Sequence, residues 1–158
     1  MDVTNILIPT QIIRPGMVVR EMFQECGRRH VQALPFCDEQ GRLKGRITLK
    51  NVLRVSCLPE FIIQMAPVLG PQMSCVENAE AKAREILCKP VEPYVQALHH
   101  SIDSCAPLIK ALALMEQHDT SYIFVVDDGD YKGIITVSAI ATAMGELETC
   151  ALGSTGDD

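Results

Sequence analysis

Short apolar runs and helical stripes follow one another along this chain in an order that occurs twice. The runs HVQALPF, from His30, and SYIFVVD, from Ser121, each lead into an acidic turn that contains glycine. A second short run follows each turn and ends in Gly-x-Ile-Thr, at Gly45 and at Gly133, which lie 88 residues apart. Glycine adopts the positive φ that tight hairpin turns need, so each half is predicted to contain a β-hairpin.

Apolar residues at helical spacing precede each hairpin. In the first half Val18, Met22 and Cys26 repeat every four residues, and Gly27 is expected to end that helix in the left-handed position after its last turn. In the second half a stripe of leucine, isoleucine and methionine follows Pro107. Proline suits a first helical turn because its missing N–H is not needed there.

A further helix is predicted after each hairpin, over 49–55 and 137–144, so each half has the order strand, helix, strand, strand, helix. The fold class is therefore α/β, of the α+β type, built from two similar repeats. One repeat is too small to bury its own sheet. The two repeats are expected to pack against each other about a pseudo-two-fold axis.

The segment 58–88 separates the repeats and adds helices that the repeat pattern does not require. An apolar stripe, interrupted by Pro67, precedes a charged helix predicted over 77–87. The stripe consists of Leu58, Phe61, Ile62, Met65 and Leu69, and the inward positions of the charged helix are predicted to be Ala79, Ala83, Ile86 and Leu87. Two interpretations stay open: these helices cover the core of the chain itself, or the Phe61/Ile62/Met65 face binds a second subunit or a client protein.

Composition, net charge and cysteine pattern argue against several classes of protein. The 158 residues are 47% hydrophobic with a net charge of −6, which provides for a packed core and argues against a nucleic-acid partner. Seven cysteines without a Cys-x-x-Cys pair predict reduced thiols, and Cys26, Cys37 and Cys105 are expected to lie among apolar side chains. No signal-peptide pattern and no bilayer-length apolar run is visible, so we expect a soluble cytoplasmic protein without membrane insertion.

The two repeats together resemble a tandem pair of cystathionine-β-synthase (CBS) domains. The resemblance rests on the strands HVQALPF and SYIFVVD with their acidic turns, and on the endings GRIT and GIIT, which match the family pattern of glycine, two variable or apolar residues and threonine. It predicts a first CBS repeat over 1–57, a helical insert over 58–88, a second CBS repeat over 89–146 and a flexible tail over 147–158.

The resemblance implies a regulatory module that binds an adenosine-containing ligand (AMP, ADP, ATP or S-adenosylmethionine) between the repeats. Such a module needs no cofactor, catalyses no reaction and modulates an unidentified client protein, a transporter or an enzyme. The apolar second helices and the stripe in the insert also predict a homodimer. The implied ligand contacts are Ile13, His30, Gln32, Ala33, Leu34, Ile47, Thr48, Lys50 and Asn51 in the first repeat, and Tyr122, Ile123, Ile135, Thr136 and Ser138 in the second.

Both repeats depart from the family three residues after the threonine. The family has an aspartate there, which accepts hydrogen bonds from both ribose hydroxyls, whereas this chain has Asn51 and Ala139. Asparagine keeps one acceptor and alanine keeps none, so the Thr48 corner is predicted to be the better adenosine site. Two alternatives stay open: the threonines are helix N-caps with or without ligand contact, and the chain is a dimerisation or adaptor module with degenerate ligand sites.

Other polar groups have simpler interpretations. The group Arg28-Arg29-His30 is either a solvated helix end or a phosphate contact. The pair His99-His100 is interpreted as loop, since no other metal ligand is near it in the sequence, and the acidic residues 127–130 as a hairpin turn. No nucleophile and base are paired in a recognisable pattern, so no enzymatic activity is predicted.

Overall fold

A computed structural model of the chain describes residues 2–70 and 79–147. The first half contains α1 (Val3–Ile6), α2 (Val19–Arg29), β1 (Ala33–Cys37), β2 (Leu43–Thr48) and α3 (Leu49–Cys57). The insert contains α4 (Glu60–Met65) and α5 (Ala79–Leu87), with short 3₁₀ turns at Ala66–Val68 and Glu92–Tyr94. The second half contains β3 (Ser101–Ile102), α6 (Leu108–Gln117), β4 (Tyr122–Asp127), β5 (Asp130–Thr136) and α7 (Val137–Gly145).

Each half contains the predicted antiparallel hairpin. Strand β1 pairs with β2, and β4 pairs with β5, and each hairpin has an irregularity in register at the equivalent place. The turns use residues of positive φ, Gly41 at 78° in the first and Asp128 and Gly129 at 51° and 82° in the second. Strand β3 runs parallel to β4, and its counterpart in the first half is a single parallel bridge between Ile13 and Phe36.

The segment that leads into each half pairs with the sheet of the other half. The backbone of Ile8 exchanges two hydrogen bonds of 2.9 Å with Ile134, and that of Gln96 exchanges bonds of 2.8 and 2.9 Å with Arg46. This close approach explains the repeated glycine of the Gly-x-Ile-Thr motif. A Cβ added at Gly45 would lie 2.5 Å from the carbonyl oxygen of Gln96, and one added at Gly133 would lie 2.7 Å from that of Ile8.

The first long helix ends later than the sequence predicts. Gly27 lies inside α2, and the left-handed residue that ends the helix is His30, with φ 56°. The prediction of Gly27 as the terminating residue is therefore wrong. The last turn continues past the glycine because Arg28 and Arg29 both reach back to the carboxylate of Glu25.

The core joins the two halves. Side chains alternate along β4, so Tyr122 and Phe124 lie on one face and Ile123 and Val125 on the other. Tyr122 and Phe124, with Ile134 of β5, pack in a cluster made mostly of first-half residues, whereas the opposite face packs under α6 and α7. The fold is thus two mixed helix–strand repeats packed against each other, as predicted.

The insert and one cysteine differ in part from the predictions. Ile86 of α5 is buried and Leu87 half-buried, but Ala83 is exposed because only the last turn of α5 is covered by the rest of the chain. The side chain of Ala79 lies outside the described residues. Helix α4 has no buried residue, and Phe61 and Met65 are 58% and 50% exposed. Cys26 and Cys37 are buried as expected, whereas Cys105 is exposed in the turn before α6. The predicted tail beyond Leu147 lies outside the described residues.

Candidate functional site

Both threonines of the Gly-x-Ile-Thr motif cap the helix that follows. The Oγ1 atom of Thr48 accepts a hydrogen bond of 3.1 Å from the backbone N–H of Asn51, at the start of α3. The Oγ1 atom of Thr136 accepts one of 3.0 Å from the N–H of Ala139, at the start of α7. The predicted N-caps are confirmed, and we call these two strand-to-helix turns the Thr48 corner and the Thr136 corner.

The two corners are linked across the boundary between the repeats. The carbonyl of Gln32 accepts the N–H of Leu49 at the Thr48 corner, and the carbonyl of Ser121 accepts the N–H of Val137 at the Thr136 corner, both at 2.9–3.0 Å. The side chains of Gln32 and Ser121 then bond to each other. Hydrogen bonds through Gln32 and Ser121 therefore connect the two corners across the boundary between the repeats.

The side-chain amide of Asn51 is hydrogen-bonded within the protein at its nitrogen end. Its Nδ2 donates a hydrogen bond of 3.2 Å to the backbone carbonyl of Tyr94, in the segment that leads into the second repeat. The Oδ1 acceptor remains available, and this is the atom that can receive a hydroxyl hydrogen. At the equivalent place Ala139 presents a methyl group, so the Thr136 corner lacks this acceptor.

The remaining predicted contact residues differ in their access to a ligand. Lys50, His30 and Ser138 are exposed, while Gln32, Thr48 and Asn51 are partly exposed. Tyr122 and Thr136 are 5% and 3% exposed. The residues with fully buried side chains in the core are Ile13, Ala33, Leu34, Ile47, Ile123 and Ile135. For these six residues, side-chain contact with a ligand remains a prediction. It would require the packed core around them to open.

Arg28 and Arg29 serve the end of α2. Both hydrogen-bond to Glu25, whose carboxylate is 1% exposed and also accepts the backbone N–H of Gln11 at 3.0 Å. Burial alone would raise the pKa of Glu25, but these hydrogen bonds and the charge of Arg28 hold that pKa below its ordinary value. This arrangement favours the helix-end interpretation of the two arginines, and it leaves His30 as the exposed member of the group.

A second polar group lies at the boundary, and two of its members, Arg46 and His118, were not singled out from the sequence. Arg46 donates from its guanidinium to the hydroxyl of Tyr122 at 2.6 Å, and His100 stacks on His118 with ring centroids 4.0 Å apart and nearly parallel planes. Burial, followed by the charges of His118, Arg46 and His99, lowers the pKa of His100. The sequence did hold one signal: Arg46 stands where the second repeat has the core residue Ile134.

Residues 97–146 match the family model of the CBS domain. The second repeat is a CBS domain. Among solved structures, an uncharacterised conserved protein from Pyrococcus horikoshii is 19% identical, with a TM-score of 0.64 over 94% of this chain and 96% of that chain. The CBS domain of a CBS domain-containing membrane protein from Sphaerobacter thermophilus is 20% identical, with a TM-score of 0.64 over 90% and 86%.

The CBS domain pair of protein MJ0100, solved in complex with 5′-methylthioadenosine and S-adenosylmethionine, is 21% identical, with a TM-score of 0.61 over 92% of this chain and 96% of that chain. At such identities the likeness shows the fold alone, and the fold is that of a tandem CBS pair. The predicted resemblance is confirmed. No curated protein matches the sequence.

Two further observations limit the chemistry of the described residues. Among them, no three histidine, cysteine or acidic side chains gather where they could hold a metal ion. Within the same ranges, no helix combines the length and apolar character that crossing a membrane requires. The polar groups at the boundary of the CBS pair are hydroxyls, amides, imidazoles and a guanidinium, and such groups are suited to binding a polar or anionic ligand by hydrogen bonds.

Proposed function

We propose that this CBS pair is a regulatory module that binds an adenosine-containing ligand between its repeats and changes the activity of a partner protein. The observation that carries the proposal is the pair of equivalent threonine corners, linked across the boundary through Gln32 and Ser121. The adenosyl ligands of the MJ0100 pair support the choice of ligand class. In this proposal the module needs no cofactor, catalyses no reaction and works in the cytoplasm, where its free cysteines stay reduced.

The Thr48 corner is the proposed adenosine site. A helix N-terminus offers unpaired N–H groups to an anion, and the Oδ1 atom of Asn51 is free to accept a ribose hydroxyl. Because Ala139 can offer no acceptor, the Thr136 corner is proposed to bind more weakly or to stay empty. One ligand per chain is therefore the expected stoichiometry.

An adaptor module with degenerate ligand sites is the second candidate. The observation in its favour is the loss of the acidic acceptor in both repeats, together with the full burial of the six apolar residues expected to line the sites. In either case we propose a homodimer that acts on a client transporter or enzyme. The exposed apolar side chains of α3, α4 and α7 support such an assembly.

Calorimetry with a panel of AMP, ADP, ATP, S-adenosylmethionine and adenosine tests the proposal directly. We expect at least one of these ligands to bind the wild type and to raise its melting temperature, because a ligand that binds only the native state stabilises it. Thr48→Ala should weaken binding by about tenfold, as expected for a lost hydrogen bond and a disturbed helix start.

Thr136→Ala is the matched control for Thr48→Ala. It removes the same kind of N-cap, each cap contributing about 1 kcal/mol, but from the corner that lacks the acceptor. Both variants should therefore lose similar stability, while only Thr48→Ala loses affinity. A panel in which nothing binds would favour the adaptor, and equal loss of affinity in both variants would contradict the choice of the Thr48 corner.

A further inference from the structure

The two repeats differ in what covers their first long helix. Helices α2 and α6 occupy equivalent places: shortly after each comes a residue in the left-handed conformation, His30 with φ 56° and Asp119 with φ 50°, and these two residues lie 89 positions apart. Four residues before it, each helix contributes a buried side chain, Cys26 or Met115, to a core cluster. Residues that lie 89 positions apart on α2 and α6 can therefore be compared directly.

In the first repeat the insert covers this helix. Helix α5 packs on α2, and its Ile86 lies in the same buried cluster as Val19 and Met22 of α2. Phe23 of α2 is half-buried against that cluster. The backbone N–H of Val19 also donates to the carbonyl of Lys89, just after α5, at 2.9 Å. The chain thus supplies its own helical cover for α2.

In the second repeat the outer face of α6 is exposed and apolar. Leu112, the equivalent of Phe23, is 37% exposed, and Ile109 is 72% exposed at the place where α2 carries the charged residue Arg20. Among the described residues, the core cluster beneath α6 includes no side chain of the insert. Apolar residues three positions apart on a helix are typical of a face that packs on another element. Within the described part of the chain, α6 therefore lacks the kind of cover that α2 has.

Helix α4 of the insert is also apolar and largely exposed. None of its residues is buried, and Phe61, Ile63 and Met65 are 58%, 38% and 50% exposed. A helix of six residues is too short to be stable by itself in water, so it needs another surface to pack against. One chain therefore presents two exposed apolar helix faces, one on α4 and one on α6.

We propose that in the homodimer α4 of each copy packs on α6 of the other copy. This inference rests on the proposed homodimer and names its interface. Two-fold symmetry produces the contact between α4 and α6 twice, so the exposed apolar faces of both copies become buried. The insert would then cover the equivalent helix of each repeat: α5 covers α2 within the chain, and α4 covers α6 of the other copy.

The charges beside the two faces are complementary. Glu60 is the charged residue of α4, and its side chain is 70% exposed and lies 3.9 Å from Arg54. On the first turn of α6, Lys110 is exposed, and none of the ion pairs among the described residues includes it. Opposite charges at a rim favour this pairing of faces over a contact of α4 with α4, to which both copies would bring an acidic residue.

Opposite charges placed on the two faces test this pairing. Met65→Lys on α4 and Ile109→Glu on α6 each bury an unpaired charge in the interface, so each should weaken dimerisation by about tenfold or more. With both changes in one chain, every contact between α4 and α6 joins a lysine to a glutamate. The double variant should therefore dimerise about tenfold more tightly than either single variant. Sedimentation measures the association, and circular dichroism measures whether each variant is folded. If either variant unfolds, Phe61→Lys or Leu112→Glu takes its place.

Arg20→Glu is the matched control, because it places the same side chain at the equivalent, exposed position of α2. It should dimerise as the wild type does. A folded Ile109→Glu variant with wild-type association, or a double variant that associates no more tightly than the single variants, would overturn the interface between α4 and α6 and leave the homodimer standing. A monomeric wild type would overturn the interface and the homodimer together. The adenosine proposal is tested separately by the ligand panel and does not depend on either outcome.

Discussion

At the scale of single residues, Asn51 shows how one side chain can be tied to the fold and still serve a site. Sequence comparison between the repeats identified its position and its remaining acceptor. The bond from its Nδ2 to Tyr94 could not be predicted, because it joins residues 43 positions apart through a backbone atom. That bond determines which end of the amide faces the proposed ligand.

Replacing Asn51 by aspartate distinguishes the contribution of its acceptor oxygen to binding from that of its bond to Tyr94 to stability. From the sequence alone, a carboxylate that meets the ribose hydroxyls is expected to tighten adenosine binding by roughly tenfold. The structure adds a cost, since a carboxylate cannot donate to the carbonyl of Tyr94, and a lost hydrogen bond removes about 1 kcal/mol of stability. We expect Asn51→Asp to melt at a lower temperature and to bind adenosine less than tenfold more tightly.

Thermal unfolding and calorimetry on the same preparation measure both effects. Asn5→Asp, an equal change of charge at an exposed position on α1, should leave stability and binding unchanged. An Asn51→Asp protein with wild-type melting temperature would show that the bond to Tyr94 contributes nothing.

The buried carboxylate of Glu25 gives a second prediction at this scale. Its pKa lies below the ordinary value of about 4.3, so the group stabilises the fold above that pH. This stabilisation is lost as the pH falls through the pKa of the folded state. Wild-type protein should lose more stability than Glu25→Gln between about pH 5 and pH 3. Chemical denaturation across this range measures the difference. Glu39→Gln, in an exposed turn, should follow the wild type.

At the scale of secondary-structure elements, local sequence preferences predicted the hairpins and the helix N-caps correctly. They predicted the end of α2 wrongly, because side-chain ion pairs outweigh the preference of glycine to end a helix. The glycine turns and the threonine caps follow from conformational preferences of one or two residues. Gly27 has the preference of a helix terminator, yet the pairs between Glu25 and the arginines carry α2 past it. Pairing of this kind depends on burial of the carboxylate, which no short sequence pattern contains.

Alanine at the three glycines tests this account. Gly27 has negative φ and open space around its Cβ position, so Gly27→Ala should stabilise the protein by about 0.5–1 kcal/mol. Gly45→Ala and Gly133→Ala push a methyl group into the backbone of Gln96 and Ile8, and should destabilise by at least about 1–3 kcal/mol. Equilibrium unfolding in urea measures all three. A destabilised Gly27→Ala would mean that α2 ends at residue 27 after all.

At the scale of the whole molecule, the sequence predicted two packed repeats but not how they are joined. The lead-in segments at Ile8 and Gln96 each complete the sheet of the other repeat, and backbone pairing between distant segments leaves no periodic pattern in either. The contact between Arg46 and Tyr122 could not be predicted for the same reason, since the two residues come from different repeats and meet only after the repeats pack. The repeated glycines, Gly45 and Gly133, reflect this pairing in the sequence, because a Cβ there would collide with the backbone of Gln96 or Ile8. That reason can be seen in the structure but not in the sequence.

The exposed apolar surface of the pair predicts a dimer. Helices α3, α4 and α7 leave large apolar side chains uncovered, among them Val55 at 61%, Phe61 at 58% and Met144 at 56%. Many large exposed apolar side chains on three helices favour an interface, and most soluble oligomers are two-fold symmetric dimers. Light scattering at micromolar concentration should therefore give about twice the chain mass of 17.4 kDa.

A charge on α4 distinguishes an interface from a cover over the core. Met65 is half exposed and α4 has no buried residue, so Met65→Glu should keep the fold while it shifts the dimer towards the monomer. Burying an unpaired charge in the interface should weaken association by about tenfold or more. Gln64→Glu places the same charge one residue earlier on α4, and it should remain dimeric if only the Met65 side of the helix is covered. Circular dichroism measures whether the variants are folded, and sedimentation measures their mass in solution. A wild-type protein of monomer mass would contradict the predicted dimer. An unfolded Met65→Glu variant would show that α4 covers the core of the chain itself.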